Sequence, residues 1–351
     1  MIAVYNEKNI SKLEQVWNEI YASNPNHTPF QSYEYNIIAW TNLGSSGKLH
    51  VIALPRQDNH RLQAIFPCYL DDTGILRFIN DIHTDFCGPL IHPDYEYDFQ
   101  LYSELADYVL QTQEIKGFVF DNLKADSYLL SAFPYCCRGS IVRMTNAWSK
   151  VKIPSCHASE LCSKLPSLAA KQRNELKKAI KEMQNASFHL YTIDKQPYPE
   201  KIINSLIIDM QEAGLRHEAY FSDGFKKLIS DCYNAGVLSV SVVKENSVPV
   251  SAHLYYINNR EIVDWVVLYT KGKCQTWNTL FTMQSLAETG GGVFNFARGL
   301  YDYKVKKFRP VMHNLYRISY SKSKLGQFVN WMECCKYYLK TILKPIIRRQ
   351  K

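Results

Sequence analysis

Apolar positions recur along this chain with two periods, and the switches between them mark its elements. SKLEQVWNEIYASN sets Leu13, Val16, Trp17 and Ile20 on one face at helical spacing, and FQSYEYNIIAW (30–40) reads as a second short amphipathic helix. HVIALPRQ and RLQAIFPCYL are strand-like runs separated by DNH, a hairpin pattern, and ILRFIN continues it. DIHTDFCGPLI leads into a loop at Gly88-Pro89, and a helix over 98–113 precedes the strand GFVFDNL. Residues 1–145 thus read as helix, helix, meander, helix and strand.

SIVRMTNAWSKVKIP follows as extended chain, then SKLPSLAAKQRNELKKAIKEMQN as a long basic helix. Further helices span 199–213 and 222–234. After Gly236 the period becomes two: LSVSVVKE, SVPVSAHLYYI and EIVDWVVLY form a meander with turns at Asn246-Ser247 and Asn258-Asn259. TKGKCQT reads as a basic loop. The helix expected over 276–289, with Thr276 as N-cap, carries Leu280, Met283, Leu286 and Ala287 and ends at Gly290-Gly291-Gly292. VFNFA is the next strand. Strand, helix and strand make a parallel, right-handed βαβ unit, and a basic loop at a helix N-terminus suits phosphate. Both halves show helices, a meander and a helix crossover, so the pattern points to a duplicated α/β (α+β) fold.

Composition adds bounds rather than detail. At 351 residues the length suits about two domains, set at 1–148 and 149–328 with a tail at 329–351. Hydrophobic residues at 46% and charged ones at 21% are ordinary for a globular chain. No apolar run approaches the ~18 residues of a membrane span, and MIAVYNEKNISK lacks the features of a signal peptide. The expected location is therefore cytoplasmic, or peripheral at the inner face of the cell membrane. The ten cysteines include no C-x-x-C, so reduced, buried thiols and no metal are expected. A net charge of +8 favours anionic partners without saying which.

The tail has its own signature. Leu339, Ile342, Leu343, Ile346 and Ile347 share one helical stripe, while Lys336, Lys340 and Lys344 take another face. This pattern fits a basic amphipathic helix on an anionic membrane surface through residues 336–351, or a stripe docked on the second domain. Pro345 is expected to kink or stop the helix.

Four stretches, in order, resemble the GNAT acyltransferase superfamily in its FemAB-like and BioF2-like branch, which carries two tandem GNAT domains. They are FQSYEYNIIAW, DIHTDFCGPLI, KQRNELKKAIKE and FNFARGLYDYKVKKF, and together they span residues 30 to 310. The resemblance implies two GNAT-like domains, each a mixed, mostly antiparallel sheet flanked by helices. It also implies transfer of an acyl group from acetyl-CoA or another acyl-CoA to an amine. The implied acceptor is an amino sugar or another cell-envelope polysaccharide or lipopolysaccharide precursor. Two departures stand out: Asn295 replaces the family's usual Asp, and TKGKCQTWN lacks its Gly-rich coenzyme loop. Aminoacyl-tRNA, the donor of peptidoglycan cross-bridge enzymes in this branch, is the alternative. The absence of two long heptad helices tilts towards a small thioester. A non-catalytic envelope-assembly protein held by its tail is the reading from another class.

Acyl transfer to an amine needs a base, a polarised carbonyl and a held donor. Asp85, near His83 and matched to a family carboxylate, is the candidate base, or else a cap of its turn. Tyr303 and Lys304 follow the last core strand, where α/β sites open; Arg298 and Gly299 belong to the same group. The alternative there is a solvated basic edge. Arg173 and Lys177, one turn apart, suit phosphate contacts or a solvated face. Lys271, Lys273, Thr276 and Asn278, with the amides over 275–278, would hold a coenzyme pyrophosphate. His253, inside a strand, reads as packed.

Overall fold

The computed structural model describes residues 2–44, 47–55, 62–166, 168–258 and 260–349, with backbone alone for Glu218 and for 340–349. The chain divides into two compact units: residues 1–36, 44–146 and 314–351 form the first, and 37–43 with 147–313 the second.

The first unit opens with β1 (Ala3–Tyr5), α1 (Glu14–Ser23) and residues 33–36 of α2 (Tyr33–Leu43), whose remainder belongs to the second unit. α1 buries Trp17 and Ile20, and the Ser32 side chain caps α2 by accepting from the Tyr35 N–H. Short strands follow: β2 (Lys48–Leu49), β3 (Val51–Pro55), β4 (Leu62–Phe66), β5 (Cys68–Leu70), β6 (Ile75–Phe78) and β7 (Leu90–Ile91). The expected β3–β4 hairpin forms, although its DNH turn lies outside the described residues. Pro67, which has no N–H to give a ladder, separates β4 from β5, and these two strands join different sheets. α3 (Phe99–Gln111), capped by Asp98, then leads to β8 (Gly117–Lys124) and α4 (Leu129–Cys136). β6 and β8 run parallel, in register only from Ile75↔Gly117 to Arg77↔Val119. Phe78, Phe118, Phe120 and Phe133 form the heart of this unit's core.

The second unit takes residues 147–153 of β9 (Ile141–Ile153). This linking chain is extended as expected, but it is also a sheet strand, paired antiparallel with β14 (Gly292–Arg298). Between them come α5 (Leu161–Lys164), α6 (Ala170–Glu182), β10 (Ala186–Tyr191), α7 (Glu200–Glu212) and α8 (Asp223–Asn234). The meander is β11 (Ser239–Glu245), β12 (Val248–Asn258) and β13 (Glu261–Tyr269). Asn246 and Ser247, with φ of 50° and 68°, make the tight turn that a right-twisted hairpin favours. Asn259, in the next turn, lies outside the described residues. The strand order is β10-β11-β12-β13-β14-β9, antiparallel except for β13 and β14.

The crossover helix α9 spans Gly272–Glu288, so it begins four residues before the expected start. Of the expected loop TKGKCQT only Thr270 and Lys271 precede the helix, and Thr276 is an interior residue, 1% exposed. Cys274 through Leu280 are all buried. Polar residues packed inward therefore hide the apolar periodicity that marks a helix start.

β15 (Val311–Ser321) pairs with β8, and α10 (Lys324–Arg349) follows it. α10 starts before the expected tail and continues past Pro345, which removes one backbone donor without ending it. The side chains of Ile342, Leu343, Ile346 and Ile347 lie outside the described residues. Among the described residues, no helix is long and apolar enough to cross a membrane.

Candidate functional site

β13 and β14 stay together for three residue pairs, Glu261↔Val293 to Val263↔Asn295, and then part. β13 continues along β12 to Tyr269, while β14 turns away at Ala297, whose φ is +53°. Left-handed backbone is costly for alanine, and one side chain holds it there. Asn295 Oδ1 accepts from the Ala297 N–H (2.9 Å), while Asn295 Nδ2 donates to Glu261 Oε1 (2.7 Å). An Asp at 295 would set a carboxylate against Glu261, so the departure from the family pattern is matched by its neighbour.

The opened end of β14 is closed by the segment after it. Lys304 is 3% exposed, and its Nζ donates to the carbonyls of Phe296 (2.5 Å) and Arg298 (3.4 Å). The same ammonium lies 5.0 Å from the centroid of the Tyr301 ring. Residues Lys304–Phe308 wind as one π turn that ends in left-handed Arg309; such turns are often found at functional sites. Burial first, and then the charge of Asp264, push the Tyr303 phenol well above its ordinary value. That phenol therefore stays protonated and able to donate.

Beside this turn lies a groove of about 590 Å³ lined by Lys171, Gln172 and Glu175 of α6 and by Asp302, Tyr303, Val305, Lys306, Lys307 and Arg309. Four cations face two carboxylates, and one cation is already paired, Lys306 with Asp302 at 2.6 Å. Lys307 links the groove to the crossover helix, donating to Thr276 Oγ1 at 2.9 Å. The first amides of α9, which have no intrahelical acceptor, begin one turn before Thr276. The volume and charge suit a phosphorylated ligand.

The remaining expected residues fall in several places. Arg173 and Lys177 are exposed on α6, but two residues along a helix is about 200° around it. They therefore point away from the flank that lines the groove with Lys171 and Glu175. Lys273 pairs with Glu245 (3.4 Å) and sits over the Trp277 ring. Asn278, fully buried, donates to the Ser241 carbonyl and accepts from its hydroxyl, which pins α9 to β11. Lys271 is the N-cap position of α9. Gly299 has φ +97°, and a Cβ there would meet the Tyr301 ring at 2.8 Å.

Asp85 is buried, 7% exposed, in the first unit. Its loop packs on the FQSYEY stretch: Gln31 donates to the Pro89 carbonyl (2.6 Å), the Phe30 and Phe86 rings meet, and the Tyr35 hydroxyl lies 2.8 Å from Thr84. Asn122, at φ +53°, donates to the carbonyls of Asp81 and Thr84. Its own carbonyl accepts from the Cys87 N–H, and Cys87 bridges in parallel to Leu123. The parting between β6 and β8 is thus filled by the chain itself. The FQSYEY part of the first stretch thus meets DIHTDFCGPLI in the first unit, and KQRNELKKAIKE and FNFARGLYDYKVKKF line one groove in the second.

One buried pair was not anticipated. His253 and Asp264, each side chain 1% exposed, approach to 3.1 Å between Nδ1 and Oδ1. His253 is packed, as expected, but against a carboxylate. The signal available was the Asp inside EIVDWVVLY, since an acid in a buried strand needs a partner. Among the described residues, no group of three or more His, Cys, Asp or Glu is placed to hold a metal.

No family model and no curated protein matches the sequence. Solved structures do. FemX superposes with a TM-score of 0.61 at 10% identity, over 88% of this chain and 96% of that one. L-PGS from Bacillus licheniformis gives 0.57 at 14% identity, covering 90% and 93%. A tandem GNAT protein from the clavulanic acid biosynthesis pathway gives 0.50 at 8%, covering 92% and 99%. The chain has the tandem GNAT-like fold. At such identities the likeness speaks for architecture, and the β13–α9–β14 crossover and its counterpart at β6–α3–β8 are the two copies of its central feature.

Proposed function

We propose that the second unit is an N-acyltransferase domain that takes an acyl group from acetyl-CoA or a related acyl-CoA and passes it to an amine. The observation that carries this reading is the Lys307–Thr276 contact, which joins a basic groove to the first turn of the crossover helix. Lys171, Lys307 and Arg309 would hold the donor's phosphates, with the free amides of α9 as further donors. Tyr303, kept protonated, supplies a hydrogen bond or proton where negative charge develops on the thioester oxygen or departing thiolate. Lys304 fixes the shape of the opened strand end from within. The acceptor class, an amino sugar or another envelope polysaccharide or lipopolysaccharide precursor, rests on the sequence resemblance.

Calorimetry with acetyl-CoA, joined to a free-thiol assay with amino-sugar acceptors, tests the reading. Binding together with acceptor-dependent thiol release supports it. Failure of both with every acyl-CoA offered rules it out.

A second reading has one observation in its favour. The flank of α6 away from the groove exposes Arg173, Lys177 and Lys181, a basic face suited to a polyanion such as aminoacyl-tRNA. Retention of charged tRNA on a filter, weakening steeply with salt, would select this donor. The longest helix of the second unit is α9, at 17 residues, and this length favours the thioester.

A further inference from the structure

Helix α10 exposes more apolar surface than its surroundings explain. Leu325, Phe328, Val329, Met332 and Leu339 are 48–74% exposed, and they recur at i, i+3, i+4, i+7 and i+14. The first four form one stripe along the helix, and Lys336, exposed on the same face at i+11, separates them from Leu339. Trp331 and Tyr338, also about half exposed, flank its edge at a spacing of seven. Solitary exposed apolar residues need no explanation, but a continuous stripe marks a binding surface.

The charge on this helix selects the partner. From residue 324 onward the chain holds seven Lys and Arg and a single acid, Glu333. That acid is engaged within the first unit: its carboxylate lies 3.1 Å from Arg143 and 3.9 Å from Arg317. Glu333 is about 100° around the helix from Met332, so the ion pairs fasten one flank while the stripe faces elsewhere. A second copy of the helix on this stripe would bring like charges together. An anionic surface would not.

We propose that α10 lies in the plane of an anionic lipid bilayer, with its apolar stripe among the acyl chains and Lys324 and Lys336 reaching to the headgroups. Its 26 residues extend about 39 Å at 1.5 Å per residue, and in-plane helices of this size, basic on one face, bind through apolar burial plus attraction to anionic lipid. Aromatic groups at the stripe edge suit the wet boundary of a membrane. This surface is independent of the acyl-transfer reading.

The test is flotation of the full chain with vesicles of phosphatidylcholine, with and without phosphatidylglycerol, at low and high salt. The expected result is partitioning to the anionic vesicles only, weakened by salt. The double variant Leu325→Glu with Phe328→Glu should lower partitioning at least ~tenfold, with an unchanged melting temperature because both residues are exposed. Lys324→Glu with Lys336→Glu should lower it as well. Equal binding to neutral vesicles, or no binding to either, overturns the proposal. So does a dimer by light scattering that the Leu325/Phe328 variant dissociates, since the stripe would then belong to a second copy.

Discussion

The Lys304 ammonium lies 2.5 Å from the carbonyl oxygen of Phe296, in the place where β14 has lost its β13 partner. A lysine buried to 3% exposure is tolerable because carbonyls and the Tyr301 ring replace its water. Lys304→Met keeps the stem and removes the charge, and with it the donor that the Phe296 and Arg298 carbonyls share. The expected loss is ~1–3 kcal/mol of stability, read by urea unfolding, together with a fall in any acyl-transfer rate. An unfolding midpoint equal to wild type would show that the ammonium is dispensable to the fold.

Lys307 has the opposite expectation. Its side chain reaches the groove surface and one threonine hydroxyl, so Lys307→Ala should leave the melting temperature within a degree or so. Loss of one phosphate-facing cation should weaken acetyl-CoA binding by roughly tenfold, about 1.4 kcal/mol. Lys171→Ala should act in the same direction. Titration calorimetry on both variants decides the matter, and unchanged affinity in both would remove the groove from the donor site.

Asn295 and Glu261 make a third prediction. Asn295→Asp installs the residue usual in the proteins that the sequence resembles but places two carboxylates at hydrogen-bond distance. It should cost about 1–2 kcal/mol near neutral pH, with the cost shrinking as the pH falls and one carboxyl takes a proton. Glu261→Gln in the Asn295→Asp background should recover most of the loss. Thermal melts of the two single variants and the double variant would read the coupling.

For His253 and Asp264 the order of effects matters. Removing one partner leaves the other polar in an apolar core, so His253→Leu should destabilise by ~3–5 kcal/mol. The double variant His253→Leu, Asp264→Leu should be the milder of the two. A double variant that is worse than the sum of the singles would contradict this account.

His50 gives a pH dependence. Its Nε2 lies 2.7 Å from the Tyr108 hydroxyl, and burial holds the imidazole below its ordinary value of 6.5, against a weaker upward pull from Glu114. The folded state therefore prefers the neutral ring. Its contribution is complete above pH 6.5 and is lost as the pH falls through the lowered folded value. Between about pH 7 and about pH 5, wild type should lose more stability than His50→Gln. Parallel pH profiles would show that His50 is not the group responsible.

The elements that were legible in sequence had sharp local punctuation. The meander from Ser239 to Tyr269 was bounded by glycine and by the Asn-Ser turn, and its strands lie where the alternation put them. β9 and β15 were less legible as strands. NAWSKVKI carries only a partial alternation, and the partners of both strands are far away in sequence, which no local pattern encodes. The start of α9 was misplaced because its first turn buries Gln275, Thr276 and Asn278. The site divides in the same way. Tyr303 and Lys304 were visible in a motif, whereas the groove joins Lys171 to Lys307 across 136 positions and needs the fold to exist.

The Asn122 carbonyl, occupied by the Cys87 amide, has a consequence for how two copies of one architecture can divide their labour. A strand edge satisfied by a tethered segment faces an effective local concentration that a diffusing molecule seldom matches. The first unit thus carries a permanent internal competitor at the edge that its sibling leaves to a lysine side chain.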